Sequence, residues 1–194
     1  DQPGIARDYY NGRAEILNSP VAAYPIWKGV GAYISLEELP ANVRELYEYH
    51  PDKAKQMLAE AGYPKGFTMK VLLESDPDVI AEASIMQEQF AKIGVKLELD
   101  PKESGVYTSL IYAREYETAY TSLQGTAAFD WEHFRPDAPM NFAISDDPVA
   151  KKGIEEFSEF FVVDDYKAYP ILRAFVPYGL EQAWYLQFPS PKTH

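Results

Sequence analysis

Metal binding, general acid–base catalysis or a nucleophilic site would have to be built from a short roster of residues. It comprises the histidines His50, His133 and His194, the carboxylate pairs Asp146-Asp147 and Asp164-Asp165, and the serines Ser19, Ser75, Ser122 and Ser190. The histidines are far apart and have no ligand-like neighbour at helical spacing, so no metal site is expected, and His50 reads as a helix-start residue. Each carboxylate pair precedes a helical pattern, where anionic side chains cap exposed N–H groups. Adjacency in sequence does not set the separation across a scissile bond that a glycosidase needs. No serine occupies a Gly-x-Ser-x-Gly elbow. Gly29-Val30-Gly31 follows no strand pattern, so a nucleotide loop fails its context. No cofactor is expected. The enzymatic rival is a stand-alone α/β hydrolytic domain using Asp130 and His133, and a protein-interaction module is a further alternative.

Recognition without covalent chemistry has better material. Residues 124–147 are irregular, with Gly125, Pro136 and Pro139 bracketing Phe129, Trp131, Phe134 and Phe142. Ligand sites in open α/β sheets gather at the carboxyl ends of strands. Two such ends can be read here, Glu74-Ser75-Asp76 after one strand and Leu123-Gln124-Gly125-Thr126 after another. The expected ligand contacts are Glu74, Ser75, Asp76, Leu123, Gln124, Thr126, Phe129, Asp130 and Trp131, with Asn141 joining them. Tyr120, on the strand itself, could face the core. Acids favour a cationic or hydroxyl-rich ligand, and aromatic rings stack on a sugar or a peptide side chain.

These residues must be held by regular elements. Residues 67–73 alternate as a strand. Val79, Ala83, Met86, Phe90 and Ile93 then recur at helical spacing before Gly94, and Val95-Lys96-Leu97-Glu98-Leu99 alternates again. Strand, helix, strand is the βαβ unit, with parallel neighbours and a right-handed crossover. Before it, Pro51, Ala54, Met57, Leu58 and Ala61 start and face a short helix ended by Gly62. After it, the pattern predicts a helix over 104–114, a strand over 116–123 and a helix over 149–161. Asp164-Asp165 offers a cap to a last helix that Pro170 must kink or restart. The Gly-, Pro- and Tyr-rich residues 1–35 read as loop. The expected fold is an α/β lobe with a mixed or parallel sheet on a βαβ unit, flanked by helices. Residues 1–35 would lead the chain into the lobe and 36–194 would form it, one domain overall.

The balance of 18 Lys and Arg against 30 Asp and Glu gives a formal charge of −12. That argues against nucleic acid and anionic membrane surfaces as partners, since both need basic residues to neutralise them. With 46% hydrophobic residues the chain can pack a core. It has no cysteine, which removes disulfides, thiolate metal sites and a Cys nucleophile. The longest apolar run, Phe160-Phe161-Val162-Val163, falls far short of the roughly 20 residues of a bilayer span. The chain opens on Asp1-Gln2-Pro3 and closes after an extended stretch at Leu186-Gln187-Phe188-Pro189. Both ends are expected to be cuts, so a targeting segment upstream is compatible with this reading.

The stretch from His50 to Phe67, with Ala61-Gly62-Tyr63-Pro64-Lys65-Gly66-Phe67 at its end, resembles a characteristic block of the family 5 extracellular solute-binding proteins. These are the oligopeptide, dipeptide and nickel-binding components of ABC importers. Gln87, Phe90 and Lys92-Ile93-Gly94-Val95-Lys96-Leu97 continue the likeness, as do Tyr107 to Ala119 and Asn141-Phe142 with Asp146-Asp147-Pro148. The resemblance implies a periplasmic-binding-protein-like lobe of type II, an extracytoplasmic location, and a ligand enclosed between this lobe and an N-terminal lobe of the same protein. It also implies an ABC permease as partner. In peptide-binding relatives a Trp ends the third strand, and an Asp three residues on pairs with the ligand's α-amino group. Here those positions are Leu123 and Thr126, and a neutral threonine cannot supply that charge-assisted bond; Asp130 is the candidate substitute.

Overall fold

The computed structural model describes residues 1–16, 28–120 and 133–191. Contacts divide the chain into two compact units, His50–Leu123 and Asp1–Tyr49 with Gln124–His194. Elements are numbered along the described residues.

The contiguous unit opens on α3 (Pro51–Glu60), with Pro51 at the first helical position and Asp52 in the first turn. There the missing proline N–H costs nothing and an acid complements the helix dipole. Gly62 (φ 93°) follows the C-terminal end of α3, and Gly66 (φ 72°) lies so close to Gly94 that a Cβ would sit 1.8 Å from the Gly94 carbonyl oxygen. This backbone contact brings the starts of two strands together, and Lys96 N donates to Phe67 O at 2.9 Å. Strands β2 (Thr68–Glu74) and β3 (Lys96–Lys102) are parallel, in register from Thr68↔Lys96 to Glu74↔Lys102. Between them runs α4 (Pro77–Ala91). The βαβ reading of the sequence therefore holds. Strand β4 (Thr118–Ala119) pairs parallel to β2 on its other side, giving the order β3-β2-β4. Pro101 sits in β3, an edge strand, where its missing donor breaks no ladder.

Val71, Val95 and Leu97 form the buried centre of this unit, against Leu58, Met69, Met86, Phe90, Ile93, Leu99 and Tyr120. The stripe on α4 is thus a packing face, and its Gln87 Nε2 donates to Leu97 O at 2.7 Å. Helix α5 (Ser104–Ala113) carries the chain from β3 across to β4. Right-handed crossovers in opposite directions along the sheet place α4 and α5 on opposite faces.

The second unit joins distant segments. Its opening residues, expected as loop, begin with α1 (Gln2–Asp8), whose first turn is capped by Asp1 Oδ1 accepting from Gly4 N at 2.9 Å. Seven residues are too few for helical periodicity to be visible. Strands β1 (Ala14–Glu15) and β5 (Ser190–Pro191) pair antiparallel. No break follows residue 35, because Ala32 and Ile34 lie in cores shared with residues 134–180. Helix α2 (Ala41–Arg44) is short, and two longer helices, α6 (Pro148–Phe160) and α7 (Asp165–Glu181), pack as a hairpin. Phe134, Ile154, Phe157, Tyr169, Leu172 and Phe175 fill one cluster, and Val43 and Tyr47 meet Val176 and Leu180 in another.

Asp147 Oδ1 caps α6 through Ala150 N at 2.8 Å, as its sequence position requires, while its Oδ2 accepts from the Tyr178 hydroxyl at 2.9 Å. The other pair behaves differently. Asp164 precedes α7 but makes no side-chain cap and pairs with Lys167 at 3.2 Å, and Asp165 Oδ1 accepts from Val162 N at 3.3 Å. Helix α7 runs through both Pro170 and Pro177. Each proline costs about 3 kcal/mol in an isolated helix. The buried residues Ala168, Leu172, Val176 and Leu180 along α7 outweigh that cost through tertiary packing. No described helix is long and apolar enough to cross a membrane.

Candidate ligand site at the carboxyl edge of the parallel sheet

In the contiguous unit the chain leaves β2 toward β3 on one side and returns from β3 to β4 on the other. The β2–β4 boundary is therefore the topological switch point, where neighbouring loops diverge and leave a crevice beyond the strand ends. Glu74, half-buried, is the last residue of β2. Ser75 follows, exposed, with its N–H donated to Lys102 O at 2.7 Å. Asp76 caps α4, and its Oδ1 accepts from Asp78 N at 2.9 Å and Val79 N at 3.2 Å. That carboxylate is occupied by the helix end, so its first role is structural.

On the β4 side, Tyr120 N donates to Leu72 O at 2.8 Å, which extends the pairing past Ala119. The Tyr120 ring packs against the aliphatic core and its hydroxyl bonds the Glu82 carboxylate from α4. Tyr107, from the first turns of α5, donates its hydroxyl to Tyr120 O at 3.0 Å. Burial, and next the nearby Glu74 charge, push the Tyr107 phenol up to about 12, so it stays a neutral donor at any physiological pH. Glu103 caps α5, accepting from Gly105 N at 3.1 Å. The edge thus holds several acids with different duties: Asp76 and Glu103 cap helices, Glu82 holds Tyr120, and Glu74 ends the strand beside Tyr107. Tyr107 and Glu82 were not singled out in the sequence. The signal was present, because each lies on the helix that directly follows a strand's carboxyl end.

Of the expected contacts, the structure brings together Glu74, Ser75 and Asp76. Leu123, Gln124, Thr126, Phe129, Asp130 and Trp131 lie outside the described residues. Asn141 belongs to the other unit and is fully buried. Its Nδ2 donates to Ser145 O at 2.8 Å and to Pro136 O at 3.4 Å, while its Oδ1 accepts from Ser145 N at 3.2 Å. In this structure its amide braces the 136–145 loop. Phe134, from the aromatic loop, is core: its ring centroid lies 5.8 Å from that of Phe175 and 5.6 Å from that of Tyr185.

His133 is 4% exposed and burial lowers its pKa, so it is a neutral imidazole enclosed near Tyr185. Its partner in the hydrolytic alternative, Asp130, is outside the described residues. Among the described residues no group of three or more His, Cys, Asp or Glu is gathered as a metal would require.

The sequence profile described as "Bacterial extracellular solute-binding proteins, family 5 Middle" matches residues 1–137. The chain belongs to this family. Heme-binding protein A of Haemophilus influenzae is 47% identical over 55 residues, 26% of this chain and 10% of that protein. The dipeptide-binding protein of Escherichia coli is 33% identical over 84 residues, 41% of this chain and 16% of that protein. Among solved structures, the murein tripeptide binding protein MppA of Escherichia coli aligns with a TM-score of 0.78 at 15% identity, covering 98% of this chain and 37% of that one. This last likeness shows the fold, a periplasmic-binding-protein α/β architecture, as the resemblance implied, and the βαβ unit agrees with it. The family 5 chain therefore spans a minor part of each relative, and all three relatives carry binding-protein names.

Proposed function

We propose that this chain forms one lobe of a two-lobed, extracytoplasmic solute-binding protein that delivers a peptide, an oligosaccharide or a similar small solute to an ABC permease. It binds and does not catalyse. An N-terminal lobe of the same protein supplies the opposite wall, and closure of the two lobes retains the solute through contacts made better in the closed state. The observation that carries this reading is the family 5 match over residues 1–137, joined to a carboxylate at the switch point of the parallel sheet. Glu74 accepts a hydrogen bond from a cationic or hydroxyl group of the solute, and Ser75 adds a neutral donor. Leu123, Gln124, Thr126, Phe129, Asp130 and Trp131 complete the half-site from the β4 side.

Peptides head the candidate solutes, since the dipeptide-binding and murein tripeptide binding proteins are among the relatives. A thermal-shift panel of peptides, oligosaccharides and nickel, run on this chain and on the two-lobed protein, tests the reading. A ligand that binds the native state at 100 times its Kd stabilises by about 2.7 kcal/mol. The expected result is a shift in the two-lobed protein that Glu74→Gln reduces. An equal shift in this chain alone would show a complete site and overturn the half-site account. Turnover lost in Asp130→Asn or His133→Asn would favour the hydrolytic alternative.

A further inference from the structure

Asn11 is the one asparagine of the chain followed by glycine, since Asn18, Asn42 and Asn141 precede Ser19, Val43 and Phe142. An Asn-Gly pair is a reactive setting for attack of the main chain on the asparagine side chain, because glycine puts no Cβ in the way of its own nitrogen. The structure gives the pair a conformational duty as well. Arg13 N donates to Tyr10 O at 2.9 Å across the turn, with Asn11 at φ 52° and Gly12 at φ 73°. Two successive positive φ values are those of a type I′ turn, for which Asn-Gly is a preferred pair. The turn joins α1 to β1, and both of its central residues are exposed.

The same turn withholds the attacking atom. Gly12 N donates to Ala6 O at 2.9 Å. Ala6 lies in the last turn of α1, where carbonyls have no partner within the helix. The Gly12 N–H thus closes the helix end, and it cannot add to the Asn11 carboxamide while it does so. Helix α1 is itself pinned at two places: Asp1 Oδ1 accepts from Gly4 N at 2.9 Å, and Gln2 Nε2 donates to Gln187 O at 3.1 Å. Beyond the turn, Ala14 and Glu15 pair with Pro191 and Ser190. Helix, turn and β1 therefore act as one tie between the opening residues and residues 187–191.

We propose that Asn11-Gly12 is a site of spontaneous deamidation, gated by the opening of the C-terminal end of α1. Once the bond from Gly12 N to Ala6 O opens, Gly12 N loses its proton to water or hydroxide and its lone pair forms a bond to Asn11 Cγ. The Asn11 side-chain nitrogen leaves with a proton as ammonia, which closes a succinimide. Water then adds to one of the two imide carbonyls. Breaking the bond from Cγ to Gly12 N gives aspartate, and breaking the bond from the Asn11 backbone carbon to Gly12 N gives isoaspartate. No electron changes hands. Either product carries a new negative charge, and isoaspartate inserts a methylene into the main chain that a two-residue turn cannot absorb. The tie to residues 187–191 then loosens. This chemistry is independent of the ligand site at the sheet edge.

The whole chain and the synthetic peptide Asp8-Tyr9-Tyr10-Asn11-Gly12-Arg13 are incubated side by side in one mildly alkaline buffer. Trypsin, cutting after Arg7 and Arg13, then releases the same peptide from the chain, and its asparagine, aspartate and isoaspartate forms are separated and identified by mass, with a zero-time digest as background. Conversion in the native chain should be at least about tenfold slower than in the peptide, the factor that an opening cost of about 1.4 kcal/mol imposes. Asp1→Ala removes the cap of α1 without touching the turn, and it should speed conversion about fivefold, as a lost N-cap would. The melting temperature of the wild type should fall in step with isoaspartate, while that of Asn11→Gly, which suits the turn and has no amide to lose, should hold. Equal rates in native chain and peptide would overturn the gate, as would a rate that Asp1→Ala leaves unmoved. A peptide that does not convert would overturn the site itself, and a converted chain that melts as before would overturn the loosening of the tie.

Discussion

The two units reach stability by opposite routes. In His50–Leu123 the core is aliphatic and built by neighbours: β2, α4 and β3 follow one another, and Val71, Val95 and Leu97 meet across a single crossover. The other unit joins an aromatic-rich cluster to an aliphatic one and is tied together by residues remote in sequence. Arg173 reaches Glu38 at 2.7 Å across 135 residues, Asn42 reaches Glu181 at 2.7 Å across 139, and Gln2 donates to Gln187 O across 185. The Tyr185 hydroxyl both donates to His133 O at 2.9 Å and accepts from Ala143 N at 3.1 Å. Short loops close at small entropic cost and long ones at more. The contiguous unit can therefore form from its own sequence, whereas the discontinuous one depends on a few large rings and polar ties to hold remote segments together.

The largest effect expected of a single change strikes the discontinuous unit. Phe157 is 1% exposed, stacked on Phe161 with centroids 5.0 Å apart and near Tyr169 at 6.4 Å. Phe157→Ala should cost about 4 kcal/mol through lost burial and the cavity left behind. Amide exchange read residue by residue is the check. Protection should fall across α6 and α7 while β2 and β3 keep theirs; an equal fall in both would mean the units unfold as one and break the comparison.

The converse change is Gly66→Ala. The added methyl would collide with the Gly94 carbonyl at a positive φ, and because backbone opposes backbone neither side can yield cheaply. About 3 kcal/mol should be lost, combining overpacking with left-handed strain. Here the β2 and β3 amides should exchange faster and α6–α7 should not.

The same contrast decides what could be read from residue order. The βαβ unit was legible because its determinants are local: Pro51 and Gly62 bound one helix, the stripe from Val79 to Ile93 marks another, and Lys96 to Leu99 alternates. The same locality exposed Glu74, Ser75 and Asp76, since a strand end is visible wherever alternation stops. The bracing role of Asn141 was not legible because its partners, the Pro136 and Ser145 backbone, carry no side-chain pattern. Helix α1 was missed because Asp1 and Pro3 announce it over too few residues. The packing of Ala32 and Ile34 against residues 134–180 is written in no spacing at all. Tyr107 and Glu82 entered the candidate site only once the strand order was known.

A smaller loss should follow Asn141→Ala. Removing a buried amide that donates to Ser145 O and accepts from Ser145 N strands those backbone groups without partners, at about 2 kcal/mol. Asn141→Asp discriminates further, since it keeps the acceptor and loses the donor. If Asn141 served a ligand instead of the loop, Ala would leave the urea midpoint unchanged and alter only binding.

The least of these effects is a dependence on pH, and it separates the units without mutation. His133 is enclosed and burial lowers its pKa, whereas the histidine of the other unit, His50, is exposed. An unfolded histidine takes up a proton near pH 6.5. Folded His133 does so only at lower pH, so between the two values the unfolded chain binds more protons and stability rises with pH. The contribution is complete above about pH 6.5 and is lost as pH falls toward the folded value. The carboxylates Glu38 and Asp100 also have lowered pKa values, from Ser35 N–H and Arg173 in one case and Lys102 and Lys70 in the other. Their share disappears only in more acidic solution, as pH falls through their folded values, so the range from about pH 7.5 to about pH 5 isolates the imidazole. Across it, exchange protection of α6 and α7 should decline while that of β2 and β3 stays level. His133→Asn should flatten the decline. A decline that persists in this variant, or that appears equally in the sheet, would remove His133 as its source and show that the discontinuous unit does not answer to pH on its own.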